Sequence, residues 1–131
     1  MPDLEEVIKT STVIVHKERY AYLKSNVAPQ APCFMVSKDK DEVTVVCDEL
    51  SMQNIPHTEA VKWFKLLEIK VSQPFVAKGF LAKVSKTVAD EDLNILIIST
   101  FSKDYALVRE ETHIKAVEAL QRAGFPIVWK V

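Results

Sequence analysis

Residues 64–131 alternate strand-length apolar runs with amphipathic helical patterns, and this succession constrains the fold more than any other feature of the sequence. The run FKLLEIKV at 64–71 has the length and apolar content of a strand. The apolar residues after it recur at helical spacing and form one stripe of a predicted helix: Ala77, Leu81, Val84 and Val88. Asn94 is predicted to close this helix. The sequence then returns to strand patterns, so a sheet with helices packed on it is expected.

The runs ILIIS at 95–99 and YALV at 105–108 predict two more strands, and FPIVWKV at 125–131 predicts a last one. A second helix lies between them, with its apolar residues on or near one face: Ile114, Val117, Leu120 and Ala123. Gly124 follows that helix at the position of a C-cap glycine. The order β-α-β-β-α-β is that of the ferredoxin-like split βαβ arrangement, so the predicted fold class is α+β.

The first half of the chain has a different sequence pattern. Residues 1–60 contain four of the six prolines and several short β-rich runs, at 12–15, 20–23, 33–36 and 43–46. A helical turn is expected only near 58–63. We therefore predict two lobes, a degenerate strand-rich one at 1–62 and a complete βαββαβ one at 63–131.

Charge and composition exclude several classes of function. Seventeen basic and eighteen acidic side chains are interleaved, with a net charge of −1, so no basic patch for nucleic acid is expected. No apolar run approaches membrane-spanning length, and the acidic start MPDLEEVIK does not resemble a signal peptide. Cys33 and Cys47 lie in separate strand-like runs and are expected to be free thiols. These features predict a cytoplasmic protein.

No catalytic or metal-binding constellation is evident in the sequence. The three histidines, His16, His57 and His113, are scattered and accompany no recognised catalytic motif. The carboxylates at 90–92 are consecutive on a predicted helix, so they point in different directions and make a poor metal cage. We therefore expect no enzyme activity, no cofactor and no metal.

Two features nevertheless suggest a binding site. Asp104 lies in the polar segment STFSKD between two apolar strands, which is either a hairpin tip or the rim of a ligand site. Gly79 lies where the first helix of the second half begins, and a residue without Cβ there lets a small anion approach free N–H groups. A tight turn would explain Gly79 equally well.

The segment KGFLAKVSKTVADEDLNILIISTFSKDYALVREETHIKAVEALQRAGF resembles the ACT domain, specifically the branch that includes the CASTOR arginine sensors and small two-lobed bacterial proteins. In that branch a glycine opens the first helix, and an apolar strand ends in I-S-T before an aromatic residue. An aspartate, a pair of glutamates and a helix ending in A-G follow in that order. The matching residues are Gly79, Ile98-Ser99-Thr100, Phe101, Asp104-Tyr105-Ala106-Leu107-Val108, Glu110-Glu111 and Ala119-Leu120 through Ala123-Gly124.

The resemblance implies a ferredoxin-like ACT domain at 63–131, preceded by a degenerate ACT-like lobe, and a regulatory protein that binds a free amino acid. The ligand-binding residues that it implies are Gly79, Phe80, Leu81, Ser99, Thr100, Phe101 and Asp104. Backbone groups at the helix start would face the ligand carboxylate, and Asp104 would pair with a cationic group, such as that of arginine. Lys103 departs from this pattern, because it could neutralise Asp104 within the chain.

Two other functions stay open at this point. A ligand-free ACT-type module would serve only protein interaction, as a homodimer or with a partner protein, because exposed sheet edges are commonly paired. A small enzyme is the third class. Stabilisation by an amino acid would separate the amino-acid-binding protein from the interaction module, and turnover of a substrate would favour the enzyme.

Overall fold

The structure is a computed structural model, and it describes residues 3–131. The chain divides into two compact units: the larger unit contains residues 3–17 and 65–131, and the smaller unit contains residues 18–64. The elements, in chain order, are α1 (Leu4–Lys9), β1 (Thr12–Ser25), β2 (Met35–Lys38), β3 (Val43–Asp48), α2 (Glu49–Met52), β4 (Glu59–Lys70), α3 (Phe80–Ala89), β5 (Leu96–Ser99), β6 (Asp104–Arg109), α4 (His113–Arg122) and β7 (Ile127–Trp129).

The sheet of the larger unit has the strand order β7-β1-β4-β6-β5. Val13 of β1 pairs with Ile127 of the parallel strand β7. β5 and β6 form an antiparallel hairpin whose last pair is Ser99 with Asp104. Elements β4 to β7 with α3 and α4 follow the β-α-β-β-α-β order, so the predicted fold class is confirmed.

The core of the larger unit lies between this sheet and helices α1, α3 and α4. Val84 and Val88 of α3 and Val117 and Leu120 of α4 are buried, as their helical period predicts. Leu81 and Ile114 of the predicted stripes are instead 38% and 50% exposed, and Phe80 and Ala116 are buried. Phe80 and Phe125 meet edge to face in this core, with their ring centroids 5.7 Å apart. The buried members contributed by the three helices are Val7, Ile8, Phe80, Val84, Val88, Ala116, Val117 and Leu120.

Local signals set the ends of these helices. The Asp3 carboxylate accepts the Glu5 N–H at 3.2 Å and caps the first turn of α1. Gly124 follows α4 with φ of 111°, a left-handed conformation that suits a residue without Cβ, and its N–H donates to the Gln121 carbonyl. The chain then turns so that Phe125 enters the core before β7.

The smaller unit is built on the order β2-β3-β1. Tyr22 of β1 pairs with Val46 of β3, and Met35 of β2 pairs with the same residue from the other side. Its core contains Ala21, Leu23, Val43, Val45, Cys47 and Ile55. Burial raises the pKa of the Cys47 thiol to about 11, with further contributions from Asp48 and Cys33, and both cysteines are free, as expected.

Several details of the first half differ from the sequence predictions. We expected residues 1–62 to form one lobe, but residues 3–17 group with 65–131, because β1 pairs with β7 and α1 buries its apolar face in the larger core. The runs 12–15 and 20–23 belong to one continuous strand rather than two. The helical turn expected near 58–63 is wrong, because residues from Glu59 onward form β4.

Two helix boundaries also differ. The sequence did not predict α1, although Asp3 supplies an N-cap signal before it. Asn94 was expected to close the first long helix, but α3 ends at Ala89 and the chain passes through Asp92 with φ of 61°. Aspartate tolerates this left-handed conformation better than most residues.

Two kinds of feature are absent from residues 3–131. Within that range, no helix is long and apolar enough to cross a membrane. No group of three or more histidine, cysteine, aspartate or glutamate side chains in the same range is arranged to hold a metal ion.

Candidate functional site

One cavity of about 400 Å³ in the larger unit is lined by all seven residues predicted to bind a ligand. It lies between the start of α3, the β5–β6 loop and the segment after β4. The predicted residues on its wall are Gly79, Phe80, Leu81, Ser99, Thr100, Phe101 and Asp104. The other lining residues are Val71, Gln73, Pro74, Phe75, Ala77, Ala82 and Lys103. The structure therefore brings the predicted set together, and its role in binding stays a prediction.

The start of α3 forms one wall of the cavity. Gly79 occupies the N-cap position with φ of 82° and ψ of 1°, and as a glycine it makes no side-chain hydrogen bond that would cap the helix. The first N–H groups of a helix have no acceptor within the helix. Leu81 and Ala82, which line the cavity, belong to that first turn. This end of the cavity therefore favours an anion.

The side chain of Phe80 is buried in the core, unlike that of its neighbour Leu81. The Phe80 side chain is 3% exposed and packs on Phe125 in the core, so its ring holds the start of α3 against the core. Leu81 is 38% exposed beside it. Of these two residues, Leu81 alone presents its side chain at the surface.

The hairpin β5–β6 supplies the opposite wall. Ser99 and Asp104 are paired in the register, and the Ser99 hydroxyl donates to Asp104 Oδ1 at 2.7 Å. Thr100 closes the loop, because its N–H donates to the Lys103 carbonyl at 2.8 Å and its hydroxyl donates to the same oxygen at 3.2 Å. The segment STFSKD is thus a hairpin tip and a cavity rim at once.

Lys103 does not neutralise Asp104 in this structure. Its ammonium lies 2.9 Å from Glu68 Oε2 on β4. The hydrogen bond to Glu68 is the main reason that the pKa of Lys103 is raised above its ordinary value, so the side chain is cationic at neutral pH. No basic side chain within residues 3–131 forms a salt bridge with Asp104. Asp104 therefore lines the cavity without an ion-pair partner among residues 3–131.

Two exposed phenyl rings stand at the cavity wall. Phe75 and Phe101 are 80% and 84% exposed, and their centroids lie 5.3 Å apart in an edge-to-face arrangement. Phe75 has φ of 70°, an uncommon conformation for a bulky residue. Large rings this exposed are a feature of binding surfaces when they form a patch.

Sequence reasoning missed the segment 73–75 and Glu68. Phe75 carried a usable signal, an aromatic residue in an otherwise polar and proline-bearing connection. Glu68 carried none, because an acidic residue within an apolar strand does not reveal its partner along the chain.

Comparisons with known proteins agree with this fold. Residues 62–122 match the family model of the ACT domain. A search of curated proteins gives no match. Among solved structures, a Vibrio cholerae protein of unknown function has a TM-score of 0.80 at 18% identity, with 92% of this chain and 95% of that chain covered.

Two further similar structures come from aspartate kinases. The regulatory subunit of aspartate kinase from Thermus thermophilus, in its ligand-free form, has a TM-score of 0.65 at 13% identity and covers 85% of this chain and 96% of its own. Aspartate kinase from Clostridium acetobutylicum has a TM-score of 0.69 at 13% identity over 87% of this chain and 34% of its own length. These neighbours share the fold of this chain, and the ACT-domain model matches its residues 62–122.

Proposed function

We propose that this chain is a non-catalytic regulatory ACT-domain protein that binds a free amino acid in the cavity of the larger unit. The observation that carries the proposal is the placement of two opposite electrostatic features around one cavity. The uncapped start of α3 at Gly79 suits a carboxylate, and the Asp104 carboxylate suits an ammonium or guanidinium group. A free amino acid carries both kinds of group.

Size and charge narrow the ligand class. A cavity of about 400 Å³ falls at the lower end of the usual range for small-molecule sites, which suits a single amino acid. Because the structure directs Lys103 to Glu68, the negative charge of Asp104 favours a cationic side chain. Arginine and lysine are therefore the first ligands to test.

The neighbours support the regulatory part of the proposal. The Thermus thermophilus structure is a regulatory subunit of aspartate kinase, and this chain shares its fold over most of both lengths. We propose the CASTOR-like subtype on the residues of the I-S-T-F and D-Y-A-L-V motifs. Cytoplasmic location and pairing as a homodimer belong to the same proposal.

A ligand-free interaction module is the second candidate. The exposed pair Phe75 and Phe101 favours it, because a partner protein could cover these rings. In that case the cavity would be a by-product of the hairpin and the helix start. A binding measurement separates the two functions.

The test is a thermal melt of the full chain with each of the twenty amino acids at millimolar concentration, followed by calorimetry on those that raise the melting temperature. A ligand that binds only the folded state adds about 2.7 kcal/mol at a hundredfold excess over Kd. Asp104→Asn keeps an acceptor for the Ser99 hydroxyl but removes the charge, so it should abolish the shift by a cationic amino acid.

Glu118→Gln is the matched control, because Glu118 is an exposed carboxylate on α4 outside the cavity. It should leave the shift unchanged. Absence of any stabilisation and of any heat with all twenty amino acids would contradict the proposed function and leave the interaction module.

A further inference from the structure

Lys103 and Asp104 are adjacent in the chain, carry opposite charges and both line the cavity, yet their side chains have different partners. Asp104 Oδ1 accepts the Ser99 hydroxyl at 2.7 Å, whereas the Lys103 ammonium lies 2.9 Å from Glu68 Oε2. Lysine has a long, flexible stem and a compact charge, so it can exchange one nearby carboxylate for another. What holds Lys103 on Glu68 therefore decides whether Asp104 keeps its negative charge for a ligand.

Glu68 is well placed to hold a cation. It lies in β4 between the core residues Leu67 and Ile69, and it is 8% exposed. Each of its carboxylate oxygens has one partner: His16 Nε2 lies 2.8 Å from Oε1, and Lys103 lies at Oε2. Burial alone would raise the pKa of Glu68, but the hydrogen bonds from Lys103 and His16 lower it below its ordinary value. Glu68 is therefore ionised at neutral pH.

The backbone of the loop reinforces this arrangement. The Lys103 carbonyl accepts both the N–H and the hydroxyl of Thr100, at 2.8 and 3.2 Å. The ion pair to Glu68 thus ties the β5–β6 loop, with Thr100 and Phe101 on the cavity wall, to a core strand. Lys103 is fixed through its main chain and its ammonium together.

We propose that Glu68 is a positioning residue that sets the charge preference of the cavity: it holds the Lys103 ammonium away from Asp104, so that Asp104 pairs with the cationic group of the ligand. Glu68 acts through Lys103 and does not itself line the cavity. The inference rests on the proposed amino-acid-binding function and adds a determinant of ligand charge to it. Without Glu68, the Lys103 ammonium is released to pair with Asp104. Asp104 then no longer attracts a cationic ligand, and the nearby ammonium repels it.

The experiment is a double-mutant cycle on the full chain, read by calorimetry with arginine and with citrulline, its neutral analogue of nearly equal shape. If lysine is the cationic amino acid that binds, norleucine replaces citrulline. Glu68→Gln should lower the affinity for the cationic amino acid roughly tenfold relative to the neutral one, within the usual range of coupled neighbours. Lys103→Met should retain that affinity or raise it.

The decisive variant is Glu68→Gln combined with Lys103→Met. If Glu68 acts through Lys103, the double variant should regain the arginine preference of Lys103→Met. If Glu68 attracted the ligand by its own charge, the Glu68→Gln change would instead lower the affinity equally with Lys103 and with Lys103→Met. The Gln variant preserves the size of the side chain and a hydrogen-bond partner for His16, and Lys103→Met leaves the buried Glu68–His16 pair in place.

The outcomes separate the two proposals. Failure of the unaltered chain to bind any amino acid overturns the proposed function. Binding of neutral amino acids only overturns the present inference and leaves amino-acid binding intact. Binding of a cationic amino acid with a preference that Glu68→Gln changes less than twofold also overturns the inference alone.

Discussion

Replacing Gly79 by alanine tests whether the left-handed start of α3 is needed for the site. Gly79 has φ of 82°, and a Cβ placed there would lie 3.7 Å from Leu4 Cδ2, which is ordinary van der Waals contact. The cost is therefore conformational, about 1–2 kcal/mol for an L-residue in this region. At about 2.1 cal/mol/K per residue, the unfolding entropy of 131 residues is about 0.28 kcal/mol/K, so the melting temperature should fall by about 4–7 °C.

The chain supplies its own control at Gly124. That glycine also has positive φ, 111°, and an added Cβ would lie 3.5 Å from Ile8 Cγ2, so Gly124→Ala should lose similar stability. Gly124 lies outside the cavity, whereas relaxation of the backbone at residue 79 would move the first N–H groups of α3.

Thermal melts with and without arginine should therefore show lost binding in Gly79→Ala and retained binding in Gly124→Ala. A bulkier Gly79→Val change should also abolish binding, at a larger cost in stability. Equal arginine affinity in Gly79→Ala and Gly124→Ala would refute the assignment of the helix start to the ligand carboxylate.

Two further predictions concern pH and assembly. The pKa of Glu68 is lower in the folded protein than its ordinary value of 4.5, so its stabilising contribution is present above that value and is lost as the pH falls through the folded-state pKa. Urea unfolding between about pH 6 and pH 3 should therefore show a smaller loss of unfolding free energy for Glu68→Gln than for the unaltered chain. Equal slopes of unfolding free energy against pH would contradict this. The proposed homodimer should appear in light scattering across a concentration series, and a monomer at high micromolar concentration would exclude it.

The second half of the fold could be predicted because its signals are local. Helices α3 and α4 have apolar stripes that recur at 3.6 residues, and the runs around them have the length of strands. Gly124 ends the second of these helices at the position that its sequence indicates. Where periodicity is strong and several elements follow in order, the topology has few alternatives.

The first half could not be predicted as well, because tertiary pairing overrides its local pattern. The polar residues 16–19 interrupt the apolar run of β1 and resemble a loop, but His16 and Arg19 have side-chain partners outside β1. His16 bonds Glu68, and Arg19 bonds Glu49 at 2.7 Å and stacks over the Trp63 ring. A paired strand thus continues through a polar stretch that the sequence alone marks as a break.

The candidate site could likewise be predicted from the sequence only in part. Gly79, the I-S-T-F segment and Asp104 could be named from motifs, since each lies in a short stretch with a fixed spacing. The partner of Lys103 could not, because Asp104 is one residue away and Glu68 is 35 residues away, and only the packing of β4 against β6 decides between them. Charge preference is therefore the property of the site that sequence patterns describe least.

The segment STFSKD can consequently be a hairpin tip and the rim of a cavity at once, and its role as the rim of a ligand site stays a prediction. The Ser99–Asp104 pair and the Thr100–Lys103 bonds that close the turn also orient the cavity wall. Strand β6, which follows, is anchored by the buried residues Ala106, Leu107 and Val108. The core therefore supports this wall of the cavity. A site ordered before the ligand arrives loses little conformational entropy on binding. Under the proposed function, the same hydrogen bonds that make Asp104 a turn residue would preorganise it as the acceptor for the cationic group of the ligand.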